Sequence, residues 1–249
     1  AAGASGIACG VVRNFYFQPA MGAVMRESLA IWESDPEAFH FNNCSYIALV
    51  PEQQDSDVEA IYERQQSEGY DCTLVQGEDQ VFAYMKKIFP DWRARGQTSM
   101  LEEHRAGFAF NKEAMHGIAD KARAEGVRIF EGVRVTGFGF GQDGLVKTVE
   151  TDQGTVEVEQ VIVGVGPWAK QAWAMLGLPD KIDVKDADGN VHVDQQMWIY
   201  WQLVEGAIAM DPKLYVTAEG KTPPVFHFDS REPLISQKTG KQLNDGLWG

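Results

Sequence analysis

Three features of this sequence could do chemistry: a lone arginine among apolar residues, a His–Asp pair on one stretch, and a glycine corner ahead of a helix. Arg13 stands in Val11-Val-Arg-Asn-Phe-Tyr16. An unpaired guanidinium in such surroundings is costly, so Arg13 needs an anion, either a ligand's or a carboxylate at the core edge. His227 and Asp229 fall on one side of an alternating stretch, Val225 to Asp229. There they can act as an acid–base pair or as hydrogen-bonded structural residues. The corner is Val161-Ile-Val-Gly-Val-Gly-Pro-Trp168. Gly164 and Gly166 leave out side chains where a backbone or a flat ligand could come close. Pro167 suits a first helical position, and a helix N-terminus facing such a corner suits a nucleotide or the edge of a flavin. A glycine-containing turn in any sheet protein satisfies the same spacing. Ser5, Gly6 and Gly10 lie in a run of small residues from Ala1 to Gly10 that can wrap a ligand, or can be a plain Gly/Ala end.

Around these groups the sequence sets out its elements. Val161 to Val165 is apolar without alternation, as in a parallel strand covered on both faces. Ahead of it, Asn111 can cap a helix with Met115, Ile118, Ala119 and Ala122 on one face, ended by Gly126. Val127 to Phe130 is a strand candidate. A three-stranded meander follows, Arg134 to Phe140, Leu145 to Thr151 and Thr155 to Val158, joined at Gly144 and Gly154. A further helix spans Lys170 to Gly177. Nearer the start, Met21, Val24, Met25, Ser28 and Trp32 form one helix face, and Ser45 to Val50 reads as a strand. Asp57 to Ser67 and Glu78 to Ile88 are amphipathic helices whose charges form a solvated face. Ile182 to Val193 contains a turn at Gly189, and Gln196 to Leu203 is a strong β candidate. Trp198, Tyr200, Trp201, Phe226 and Trp248 can form an aromatic wall over a ligand or fill a core.

In this order, four pieces resemble the FAD-dependent oxidoreductases of the D-amino acid oxidase family, the sarcosine and dimethylglycine oxidase-like branch above all. They are Ala124-Glu-Gly-Val-Arg-Ile129 with Val133-Arg-Val135, Gly154-Thr-Val-Glu-Val158, the corner itself, and Leu176-Gly-Leu178. The resemblance implies an α/β fold in which a FAD-binding parallel sheet with a β-meander is interleaved with a mixed-sheet α+β substrate domain. It places the FAD-binding domain at 1–45 and 104–179 and the substrate domain at 46–103 and 180–249. It implies FAD as cofactor, held by Ser5, Gly6, Gly10, Val135, Gly164, Val165, Gly166 and Trp168. Arg13 matches a position that grips the substrate carboxylate, although a second arginine nearby in that branch is replaced here by Gly10. The implied reaction is oxidation of the C–N bond of a small amine or amino acid, N-methylated ones included. The resemblance leaves the catalytic residues unassigned. The family's glycine fingerprint would precede Ala1 and its C-terminal flavin segment would follow Gly249, so an internal piece of such an enzyme is expected. Gly137-Phe-Gly-Phe-Gly141 is not that fingerprint, because a hairpin turn and not a helix follows it.

Composition narrows the alternatives. At 249 residues the chain can bury a large core, and its net charge of −14 argues against nucleic acid or an anionic membrane as partner. No apolar run reaches membrane-spanning length. Cys9, Cys44 and Cys72 are too few and scattered for a disulfide framework or a zinc site. They fit small buried hydrophobes in a reducing, cytoplasmic compartment. No His-Glu-x-x-His, phosphate-binding P-loop or Gly-x-Ser-x-Gly is present to support metalloprotease, phosphoryl-transfer or serine-hydrolase chemistry. Two other classes fit: a two-domain flavin hydroxylase acting on an uncharged ring, and a non-catalytic remnant or partner subunit unable to hold FAD. Either reading allows an oligomer.

Overall fold

The computed structural model describes residues 3–6, 8–186, 188–196, 216–229 and 246–248. The first elements are β1 (Val11–Val12), α1 (Pro19–Ser34), β2 (Phe41–Asn43), β3 (Tyr46–Val50), α2 (Asp55–Ser67) and β4 (Cys72–Gln76). Then come α3 (Glu78–Ile88), β5 (Ser99–Glu103), β6 (Gly107–Ala109), α4 (Asn111–Ala124), β7 (Val135–Phe140), β8 (Val146–Thr151) and β9 (Gly154–Glu157). The last are α5 (Ala169–Met175), β10 (Lys181–Lys185), β11 (Val191–Gln196), β12 (Val225–Asp229) and β13 (Gly246–Trp248). The class is mixed α/β. The chain divides into two compact units, residues 1–7 with 121–207, and residues 8–120 with 208–249.

The larger unit is built on a mixed five-stranded sheet in the order β13-β12-β3-β5-β4. β12 runs parallel to β3, and the other neighbours are antiparallel. Every residue of β3 and β5 is buried, because the sheet is covered on both faces. One face sends Tyr46, Ala48, Val50 and Leu101 against Leu29 of α1 and Val58 and Ile61 of α2. The other sends Ile47, Leu49 and Met100 against Val81 and Met85 of α3, with Phe226 and Phe228 beside them. Burying each such side chain stabilises by about 1.5–3 kcal/mol. The helices suit their places. Pro19 opens α1, and α3 starts with Glu78 and Asp79 and ends with Lys86 and Lys87, which complements its dipole. A second small sheet, β1-β6-β2, is antiparallel and carries the segment leading to Arg13.

The smaller unit contains the expected meander, β7-β8-β9, and a β10–β11 hairpin turning at Gly189 with φ +89°. Two sequence expectations are corrected here. Val127 to Phe130 and Val161 to Val165 are not strands: among the described residues neither has a ladder partner, and Ile162 is 96% exposed. A parallel strand takes its hydrogen bonds wholly from neighbours, so an apolar run alone does not create one. α4 forms as expected, but Met115 and Ile118 are exposed and only Ala114 of this helix is buried. The cysteines are unpaired, and only Cys72 is buried; Cys44 is half-buried and Cys9 exposed. Of the expected strand Gln196 to Leu203, Gln196 closes β11, and the rest, with Trp198, Tyr200 and Trp201, lies outside the described residues.

Candidate functional site

In the smaller unit the glycine corner stands open. Gly166 has φ +52° and begins a single 3₁₀ turn, Gly166–Trp168, that runs into α5. A side chain at Gly164 or Gly166 would meet no atom within 4 Å, so no layer of the described residues covers the corner. Beside it lies a cleft of about 660 Å³, lined by Val133, Val135, Phe138, Val165, Trp168 and Met175 among others. Small-molecule sites commonly measure about 300–1,000 Å³ and are mostly apolar. The cleft therefore gathers three of the residues named from sequence: Val135 at the start of β7, Val165 at the corner, and Trp168, which is 48% exposed. Arg134 is the cationic group in its wall. Ser5 and Gly6 lie in the Ala4–Gly6 turn, closed by Gly6 N–H donating to Gly3 O at 2.9 Å. A Cβ on Gly3 would lie 3.5 Å from the Trp168 ring, so this small-residue segment packs on the indole. An apolar cleft with a bare glycine rim, an indole and a guanidinium fits a flat aromatic cofactor bearing phosphates.

Gly10 belongs to the larger unit and has a structural reason to be glycine. Its φ is +73°, and a Cβ there would come within 2.1 Å of Ala109 O.

Arg13 follows β1 and lies among aromatic rings, its guanidinium 5.0 Å from the Tyr16 ring centre and 5.1 Å from that of Tyr46. It donates to Phe15 O. Next to it, Asn14 N–H donates to Glu103 Oε2 at 2.7 Å, and Gln65 Nε2 donates to Glu103 Oε1 at 2.5 Å and to Asn14 O at 3.1 Å. Glu103 is fully buried. Burial pushes its carboxyl up to about 7, against these two N–H donors and the charges of Arg13 and Arg64. The Tyr46 hydroxyl is pushed well above its ordinary range, by burial first and then by Glu103 and Asp229, while Arg13 opposes the rise. That hydroxyl and both ends of the Asn14 amide are buried without a hydrogen-bond partner among the described residues.

His227 and Asp229 do meet, Nε2 to Oδ1 at 2.7 Å. They share a face of β12, and Arg13 acts electrostatically on His227. Arg13, His227 and Asp229 are thus brought into one charged neighbourhood, together with Tyr46 and Glu103. The last two were not singled out from sequence. Gln65 left a faint signal: it occupies the buried phase of α2 set by Val58 and Ile61, where an apolar residue is the norm. Glu103 left none. Among the described residues no cluster of His, Cys, Asp and Glu could hold a metal, and no helix is long and apolar enough to cross a membrane.

Comparison with known proteins identifies the family and the fold. The family model of FAD dependent oxidoreductases matches residues 1–212. No curated protein matches. Among solved structures, the chain is similar to L-proline dehydrogenase from P. horikoshii, with TM-score 0.65, 23% identity, and coverage of 73% of this chain and 48% of that one. It is also similar to glycine oxidase from Bacillus cereus ATCC 14579, with TM-score 0.54, 20% identity, and coverage of 70% and 48%. L-amino acid deaminase from Proteus myxofaciens gives TM-score 0.60, 16% identity, and coverage of 73% and 41%. The chain thus spans about half the length of these solved proteins. With the family model covering residues 1–212, the chain belongs to the FAD-dependent oxidoreductases of the D-amino acid oxidase family.

Proposed function

We propose that this chain is part of an enzyme that oxidises the C–N bond of a small amine or amino acid, N-methylated substrates such as sarcosine or dimethylglycine included. The observation that carries the reading is the cleft that collects Val135, Val165 and Trp168 beside a glycine corner left uncovered by the described residues, in a chain of this family. In this reading Gly164, Val165, Gly166 and Trp168 hold FAD together with Val135, Ser5, Gly6 and Gly10. Residues 1–45 and 104–179 serve the cofactor, and 46–103 and 180–249 the substrate. Held by these residues, FAD would supply the hydride-accepting chemistry that oxidation of a C–N bond needs.

The residues of the chain do the rest. Arg13 pairs with the substrate carboxylate, its planar fork suited to two parallel hydrogen bonds. The rings of Tyr16 and Tyr46 hold the guanidinium in place and keep water from it. Trp168 offers an indole face on which a flat ring can lie. The substrates for which the solved relatives are named, proline, glycine and L-amino acids, all carry a carboxylate beside an amine, which supports this assignment. We place the protein in the cytoplasm on its three unpaired cysteines.

The test is a visible absorbance scan of the purified chain before and after addition of FAD. Flavin bands that survive gel filtration are expected, and Trp168→Ala should lower the bound fraction. A protein that stays colourless after incubation with excess FAD would contradict the proposal.

A further inference from the structure

We infer that the outward side of α1 is an interface at which two copies of this chain pair, the two helices running antiparallel about a two-fold axis. The inference goes beyond the amine-oxidising reading and does not depend on it.

The geometry begins with how much of α1 is apolar. At about 3.6 residues per turn, its large apolar side chains cover an arc of about 180°, from Ile31 through Val24 and Met21 to Leu29. A helix packed on a core through one face needs an arc of about 100°. In α1 the core takes the Leu29 side: Leu29 and Gly22 are buried, and Trp32 packs on Phe39 and Phe41. The side carrying Met21 and Val24, read from sequence as one helix face, is therefore not the one that meets the core. Met21 is 40% exposed, Val24 60% and Ile31 63%, and Phe17, just ahead of the helix, 55%. Of the charged side chains on α1, Arg26 is paired with Glu68 and Glu33 with Arg105, which leaves only Glu27 at the strip's edge.

The area fits a dimer. At their exposed fractions these four side chains present about 400 Å² of apolar surface, the size at which a patch on a monomer marks an interaction site. Ordinary interfaces are about 57% apolar, so such a patch corresponds to about 700 Å² per partner, close to the ~800 Å² of a standard interface.

The pattern fits a second copy. Met21, Val24, Ser28 and Ile31 are spaced by three, four and three residues, the a/d spacing of paired helices. Read from the other end the spacing is the same. A second α1 running the opposite way therefore meets the strip in register, Met21 against Ile31 and Val24 against Ser28, each twice. The small Ser28 lets the backbones approach at the centre, and antiparallel helix dipoles attract. Two-fold pairing covers the same strip on both copies and is the commonest symmetry of oligomers. With a net charge of −14 the copies repel at long range, so apolar contact has to hold them.

The test is sedimentation equilibrium of the full chain over about 1–100 µM. A monomer–dimer equilibrium is expected, tightening as salt screens the like charges. Val24→Glu should raise the dissociation constant by about 10-fold or more, because it buries a charge at the centre of the contact. Ala30→Glu adds the same charge to the helix away from the strip and should leave the dimer in place, and circular dichroism should show both variants folded. In a Cys9→Ser background, mixed Val24→Cys and Ser28→Cys chains should form an intermolecular disulfide that neither forms alone. A chain that stays monomeric throughout the concentration range overturns the proposal, and means that something other than a second copy covers the strip. A dimer that Val24→Glu leaves intact overturns the choice of face. Equal cross-linking of either cysteine variant alone overturns the antiparallel register.

Discussion

Glu103 gives the strongest stability prediction. Its carboxyl is fully buried on β5, and both oxygens accept hydrogen bonds, from Asn14 N–H and from Gln65. Burial still outweighs these donors and raises it from an ordinary 4.5 to about 7. The native state thus holds the Glu103 proton more tightly than the unfolded chain does. The stabilisation this provides is complete below the unfolded value of 4.5 and is lost as pH rises through about 7. A carboxyl displaced over that interval costs about 3 kcal/mol to ionise on folding. Glu103→Gln abolishes the titration and leaves every other ionisable group in place. The difference in unfolding free energy between variant and wild type should therefore swing by about 3 kcal/mol from pH 4 to pH 8, towards the variant at the higher pH. Urea unfolding followed by tryptophan fluorescence at a series of pH values measures it. Curves that stay parallel across the range would refute the argument, since they would mean that Glu103 titrates alike in both states.

Two further outcomes follow from contacts in the larger unit. A Cβ on Gly117 would lie 1.7 Å from the Ala38 carbonyl oxygen, so Gly117→Ala should lower the urea midpoint by an amount worth about 1–3 kcal/mol. The clash has to exceed the helix-propensity gain of about 1 kcal/mol, and a rise in stability would show that α4 does not pack as described. Arg13→Gln should weaken propionate binding by about 10- to 100-fold, as expected for loss of a charge-assisted hydrogen bond. Calorimetric titration showing unchanged affinity would remove Arg13 from the substrate site.

By itself the sequence determined the local elements. The proline at the head of α1, the phased apolar residues of α2 and α3, and the Asp-Gly and Gln-Gly turns of the meander each specify structure within a few residues, and all of these elements form. It also placed His227 beside Asp229, because alternation along a strand is a local property. Tertiary structure decided what depends on remote partners. β4 and β5 gave no strand signal, yet Ser99–Glu103 is wholly buried because β3 and β4 pair with it from either side. Val161 to Val165 had the apolar pattern of a strand and is not one among the described residues, since the pattern supplies side chains for two covered faces but not the neighbours to hydrogen-bond with. The same holds for the site. Arg13, Tyr46, Glu103 and His227 are scattered along the chain, and only the order β12-β3-β5, with α2 supplying Gln65, sets them in one neighbourhood. There burial and mutual charge, which no spacing along the chain encodes, shift the titration of Tyr46, Glu103 and His227.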